Sequence, residues 1–281
     1  MQKELPRTPG PIGVFDSGYG GLTILKEIRN KLPNYDFLYL GDNARAPYGT
    51  RSFDVVYKFT LQAVEKLFSM GCHLVILACN TASAKALRSI QQNNLPNIDP
   101  NRRVLGVIRP TVEILNSVSR TKHIGVMATS GTILSNSYPL EIEKISPNLN
   151  VVSEACPMWV HLVENGEVDN EGTNYFVKKH IENLFSKDNK IDTVLLGCTH
   201  YPILSKTIKK YTPSHINIIS QGSFVANSLK DYLNRHPEID EKCVKTGNCL
   251  FLTTESVNKF KESASLFLSE EIINIQQIEL E

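Results

Sequence analysis

Short unbroken apolar runs punctuate the chain, at Ile12–Phe15, Phe37–Leu40, Leu74–Ala78, Val104–Ile108, Ile124–Met127, Val151–Val152, Val194–Leu196, Ile216–Ile219 and Leu250–Leu252. A run that is apolar throughout, rather than at alternate positions, predicts a strand covered on both faces. Between these runs the apolar positions take helical spacing. Leu22, Leu25, Ile28 and Leu32 share one face, as do Val56, Phe59, Ala63 and Leu67, and Gly71 then supplies a stop. Strand–helix alternation of this kind predicts an α/β fold built on parallel sheets.

The pattern also repeats. "IGVFDSGYGG" begins at Ile12 and "IGVMATSGTI" at Ile124; "LVILACNTASAKAL" begins at Leu74 and "DTVLLGCTHYPIL" at Asp192. Both pairs recur in the same order at similar offsets. Each half thus reads strand, hydroxyl- and glycine-bearing loop, helix, and later strand, cysteine, helix. The expectation is two similar parallel-sheet α/β domains facing each other across a cleft. Ligands of open parallel sheets bind beyond the carboxyl ends of the strands. Asp16, Ser17, Cys79, Thr129 and Cys198 all fall at such ends, one cysteine to each half.

Composition narrows the function. The chain of 281 residues carries 30 Lys and Arg against 29 Asp and Glu, without the basic excess of a nucleic-acid surface. No apolar stretch reaches membrane-spanning length, and "MQKELPRTPGPIGV" has no apolar signal region, so a cytoplasmic protein is expected. In that compartment the six cysteines read as reduced thiols rather than disulfides. No C-x-x-C pair is present to hold structural zinc, and no metal is expected.

The chemistry then centres on the cysteines. Cys79 stands before a helical turn among Asn80, Thr81 and Ser83, where backbone N–H groups and the helix dipole favour a thiolate. Cys198 has the same position, with Thr199 and His200 beside it. A lone cysteine reads as a small buried hydrophobe, which suits Cys72, Cys156, Cys243 and Cys249; a matched pair does not. A Cys–His hydrolase would leave Cys79 without a purpose. A phosphatase loop fails because Lys85 stands where Arg is needed, and no phosphate-binding signature accompanies Lys85 as a pyridoxal phosphate lysine. "DSGYGG" lacks the third glycine of a dinucleotide loop, Thr23 standing in its place, but lets a small anion approach backbone N–H groups. "GDNARAPYGTR", from Gly41 to Arg51, reads as a site-lining loop. Glu164, taken alone, reads as a solvated carboxylate at a helix end.

Taken together, "PIGVFDSGYGGLT", "GDNARAPYGTRS", "ILACNTAS", "IGVMATSGT", "HLVENGE" and "LLGCTHYPIL" resemble the aspartate/glutamate racemase superfamily, and within it the glutamate racemases. The tail "LFLTTESVNKFKESASLFL" fits as well. The resemblance implies a discontinuous first domain, residues 1–109 plus 221–281, and a second domain of residues 110–220. It implies cofactor-independent interconversion of L- and D-glutamate, the D-form serving peptidoglycan and hence the bacterial cell wall. Cys79 and Cys198 match the acid–base cysteines, and Asp16, His200 and Glu164 match groups that assist them. Asp16–Ser17, Tyr48–Gly49, Asn80–Thr81 and Thr199–His200 match substrate-binding pairs, which Thr129 joins by its place at a strand end. Glutamate is the expected partner, with neither nucleic acid nor membrane, and a homodimer is compatible. One departure stands out: Arg109-Pro110-Thr111 replaces a frequent Glu-Pro-Gly and bears on the hinge or a subunit contact. Two other readings remain: a racemase for another amino acid such as aspartate, and a two-lobed small-molecule binding protein. Turnover of both acids separates the first, and exchange of the Cα hydrogen in deuterated water separates the second.

Overall fold

The structure, a computed structural model, describes residues 5–268 and 272–280; residues 1–4, 269–271 and 281 of the expected first domain lie outside that range. Its strands are β1 (Ile12–Asp16), β2 (Phe37–Gly41), β3 (Leu74–Leu77), β4 (Arg103–Gly106), β5 (His123–Ala128), β6 (Asn150–Ala155), β7 (Thr193–Leu196), β8 (Asn217–Ile219), β9 (Cys249–Thr253) and β10 (Ile275–Gln277). They form two sheets. One has the order β10-β9-β2-β1-β3-β4 and the other β6-β5-β7-β8, and every pairing between these strands is parallel.

The repeat seen in the sequence has a structural counterpart. The segment β2-β1-β3-β4 and the whole second sheet follow the same order, each starting one strand in from its edge and then crossing over. β1 corresponds to β5 and β3 to β7. Cys79 and Cys198 therefore each lie two positions beyond the third strand of their lobe. The inner strands β1, β2, β3 and β7 are buried at every position, as their unbroken apolar runs predict.

The chain leaves the first lobe after β4 through the helix Ile108–Val118 and returns after β8 through the helix Gly222–Arg235. The latter packs along the helix Leu22–Lys31. One apolar cluster runs through both lobes, from Leu22, Leu25 and Leu229 to Trp159, Leu196 and Tyr201. A second, including Phe15, Leu67 and Phe68, lies within the first lobe, against the helix Phe53–Ser69. That helix is capped by Met70, and Gly71 takes a φ of +95° beyond it, the left-handed stop that its position predicts.

Two local readings shift. The run Val104–Ile108 is strand only to Gly106, because Ile108 opens the next helix and turns its side chain into the second lobe's core. β10 has no apolar run to announce it: two of its three residues are exposed, and it pairs at the edge with β9.

Candidate active site

Asp16 ends β1, and its carboxylate Oδ1 accepts the Gly18 N–H at 2.8 Å. The loop behind it is glycine-rich because the opposite lobe comes close. A Cβ on Gly18 would stand 2.9 Å from Glu164 Oε1, and one on Gly20 would stand 2.3 Å from Thr199 Oγ1 and 2.4 Å from His200 Nδ1. Gly18 and Gly20 of "DSGYGG" thus serve contact between lobes, which their resemblance to a nucleotide loop does not convey. Burial raises the pKa of Asp16, against the opposing charge of His200 and the N–H groups of Gly18 and Gly21.

Cys79 caps the helix Asn80–Lys85, its sulfur accepting the Ala82 N–H at 3.4 Å. Ser17 Oγ lies 3.2 Å from the same sulfur. The helix start does not decide the charge state here. Burial, aided by the Asp16 carboxylate, pushes the Cys79 thiol up to about 12, over the Ser17 and Ala82 contacts that favour the thiolate; the charge of Cys198 also reaches it and raises it further.

Cys198 is a less exact counterpart than its sequence context predicts. It is followed by a short 3-10 turn, Tyr201–Leu204, and an α-helix begins only at Ser205. Pro202 in that turn lacks the N–H a regular helix start would offer. Cys198 instead has His200, whose Nδ1 is 3.9 Å from Sγ and whose Nε2 is 2.9 Å from Glu164 Oε1. Burial opposes the imidazolium, but the bonds to Cys198 and Glu164 prevail and hold His200 up at about 10. The ring stands edge-on to Phe267, with centroids 5.5 Å apart. Glu164 ends the helix Pro157–Glu164 and bridges to His200, so it is not the solvated carboxylate its isolated position suggests.

Hydroxyls join the lobes. Thr81 Oγ1, from the first, is 2.9 Å from Thr129 Oγ1 and 3.3 Å from Thr132 Oγ1, both from the second. Gly49 meets the same segment: its carbonyl accepts the Gly131 N–H at 2.8 Å, and a Cβ on it would stand 2.9 Å from Thr129 Cβ. The Thr199 carbonyl accepts the Thr23 hydroxyl at 3.1 Å.

The structure therefore gathers Asp16, Ser17, Cys79, Glu164, Cys198, Thr199 and His200 around the meeting of the lobes, with Gly49, Thr81 and Thr129 along the same seam. The Tyr48 side chain turns elsewhere. It is buried, its hydroxyl donates to Asp42, and its ring packs against Phe15 and Phe59. The Asn80 amide is occupied by Tyr138 and Gln221. Neither of those two residues, nor Thr132, emerges from the sequence. Thr132 had a signal, three positions past a capping threonine, whereas Tyr138 sits alone in a helix and Gln221 just ahead of one.

Two parallel α/β lobes that each bring a cysteine past their third strand to a shared seam define a two-lobed protein with paired thiols. The sequence model of the family described as Asp/Glu/Hydantoin racemase matches residues 21–227. A glutamate racemase of Ruegeria sp. (strain TM1040) is 39% identical over 93% of this chain and 97% of its own. The crystal structure of a glutamate racemase from Bacillus anthracis superposes with a TM-score of 0.87 at 37% identity, covering 96% of this chain and 98% of that one. A Francisella tularensis glutamate racemase in complex with D-glutamate gives 0.85 at 34% identity, covering 96% and 97%. The chain belongs to the Asp/Glu/hydantoin racemase family.

Proposed function

We infer that the protein is an isomerase that interconverts L- and D-glutamate by two-thiol acid–base chemistry without a cofactor, supplying D-glutamate for peptidoglycan. The observation that carries this reading is the pair Cys79 and Cys198, delivered from equivalent places in two lobes. Full-length relatives that bear the name glutamate racemase favour glutamate over aspartate as substrate.

Racemisation removes the Cα proton from one face and returns a proton to the other. The planar intermediate needs one base and one acid at once, on opposite sides. With its thiol held up at about 12, Cys79 is the acid at neutral pH. In the L-to-D direction Cys198 takes the proton and Cys79 gives one to the other face. The C–H bond breaks toward Cys198 Sγ, the electron pair is held as an enediolate by the α-carboxylate, and the S–H proton of Cys79 forms the new C–H bond. D-glutamate reverses the roles. His200, protonated at neutral pH and in reach of the Cys198 sulfur, exchanges a proton with that thiol, and Asp16 does the same on the Cys79 side. Backbone N–H groups at the Ser17, Gly49, Asn80 and Thr199 positions, with the Thr81 and Thr129 hydroxyls, hold the carboxylates and the charge that develops on one of them. Positioned proton transfer of this kind contributes about 100- to 10,000-fold. Every residue in this scheme comes from one chain. No disulfide joins any of the six cysteines, all of them among the described residues, which suits the reducing cytoplasm in which we place the protein.

The test is isotopic. A thiol carries one proton, so two acids working in turn deliver a solvent-derived proton to the product. Early in reaction in deuterated water, deuterium appears in the product enantiomer well before it appears in recovered substrate, from either starting enantiomer. Equal early labelling of both pools contradicts the two-thiol scheme; no exchange with glutamate but exchange with aspartate makes it a racemase for the other acid, and no exchange with either leaves a binding protein.

A further inference from the structure

Two residues outside the scheme above form a buried polar connection between the lobes. Gln221 stands where the chain returns to the first lobe, and Tyr138 lies on the second lobe's helix Ser137–Ile145. Both are buried, as is Asn80. The Tyr138 hydroxyl donates to Asn80 Oδ1 at 2.7 Å, Asn80 Nδ2 donates to Gln221 Oε1 at 2.6 Å, and Gln221 Nε2 donates back to the Tyr138 oxygen at 2.9 Å. The ring is closed, and each member both gives and receives. It is also anchored. Gln221 Nε2 lies 3.0 Å from Thr111 Oγ1 and 3.3 Å from the Val107 carbonyl, the acceptor of the Thr111 hydroxyl at 2.8 Å. Val107 and Thr111 flank the outward crossing and Gln221 the return, so the ring ties the two crossings together. Thr111 belongs to the Arg109-Pro110-Thr111 departure, and its hydroxyl gives that departure a structural use.

The third member of the ring immediately follows Cys79. We infer that Gln221 and Tyr138 are positioning residues, which hold Asn80, and through it the Cys79 thiol, at a fixed place against the lobe that carries Cys198. The physical reason is stringency: a closed set of buried, fully satisfied hydrogen bonds tolerates one arrangement, and an apolar contact in its place tolerates several. The ring also fills both polar atoms of the Asn80 side chain, which leaves the backbone N–H of Asn80 as its group for a ligand.

The inference about Cys79 stands on geometry, while its kinetic consequence rests on the racemase reading; the two are measured separately. Tyr138→Phe removes only the hydroxyl and keeps the packing, and Gln221→Leu removes the amide at similar size. The first readout needs no turnover: the rate of alkylation of each cysteine by iodoacetamide in the full-length protein, followed by peptide mass spectrometry. We expect Cys79 to alkylate roughly tenfold faster in either variant while Cys198 changes less than about twofold. In glutamate turnover kcat falls roughly tenfold with KM moving less than about threefold, because loss of alignment acts on the proton transfer. Equal acceleration of both cysteines signals general loosening and overturns the inference. So do unchanged alkylation rates in a folded Tyr138→Phe protein. If Gln221→Leu does not fold, Tyr138→Phe alone decides. Selective acceleration of Cys79 with no glutamate turnover in the wild type upholds the positioning role and rejects the racemase reading.

Discussion

Replacing Glu164 by Gln is the most informative single change at the site, because it keeps shape and hydrogen-bonding reach while removing one charge. The carboxylate lies 2.9 Å from His200 Nε2, with side chains only 5% and 17% exposed, so solvent screens the pair weakly. His200 is held at about 10 against an ordinary 6.5. At 1.36 kcal/mol for each pH unit, that gap is about 5 kcal/mol, the net that Cys198 and Glu164 leave after burial has opposed them. A hydrogen bond to a charged partner contributes about 1.5–3 kcal/mol, which moves His200 down by about one to two pH units on loss of Glu164. The sign follows from linkage. A histidine raised on folding adds stability that is full below the unfolded value of about 6.5 and disappears as pH rises through the folded value. In the wild type that contribution fades toward pH 10; in Glu164→Gln it fades about one to two pH units lower. Urea unfolding at pH 6, 7, 8, 9 and 10 measures it directly, and the alkaline limb of kcat/KM that His200 sets should move down by the same one to two pH units. Identical pH dependence of unfolding in the two proteins between pH 6 and 10 would falsify the assignment of the raised imidazole to this ion pair.

Cys79→Ala and Cys198→Ala should each abolish racemisation while leaving a cooperatively unfolding protein, whereas Cys72→Ala, within the first lobe's apolar cluster, should turn over normally; activity in either of the first two ends the two-thiol scheme. The rate should follow a bell against pH, both limbs belonging to the coupled site rather than to one residue, and a steady rise to high pH in the folded protein contradicts it. Arg102 is fully buried and donates to the carbonyls of Pro6, Phe68 and Cys72. Arg102→Leu should therefore cost about 3–5 kcal/mol of stability, since it strands two buried acceptors and a half-buried one, and a thermal midpoint within a degree of the wild type rules this out.

Much of this is legible in the amino-acid sequence. Strands buried on both faces print themselves as unbroken apolar runs, so β1, β2, β3 and β7 were plain, and the matched order of loops and cysteines foretold two like lobes. Edge positions carry no such mark, and β10 lies at one. Ile108 could not be assigned from its run, because an apolar residue that opens a helix looks like one that closes a strand. The two cysteines were visible through their context, but their difference was not. Whether a turn after Cys198 becomes α or 3-10, and whether burial outweighs a helix start at Cys79, depend on three-dimensional surroundings. Gln221 and Tyr138 were invisible for a related reason: their meaning lies in partners 141 and 58 positions away from them.

The placement of β9 beside β2 has a consequence for synthesis. β2 is finished by residue 41, yet its outer neighbour is completed only at Thr253. On the ribosome the first lobe must therefore wait with the apolar edge of β2 uncovered while the whole middle of the chain is made. The second lobe has no such wait, since β5 to β8 follow one another without interruption. The later lobe in order of translation is thus the earlier one able to close, and it offers its surface to Leu22, Leu25 and their neighbours before the first sheet is whole.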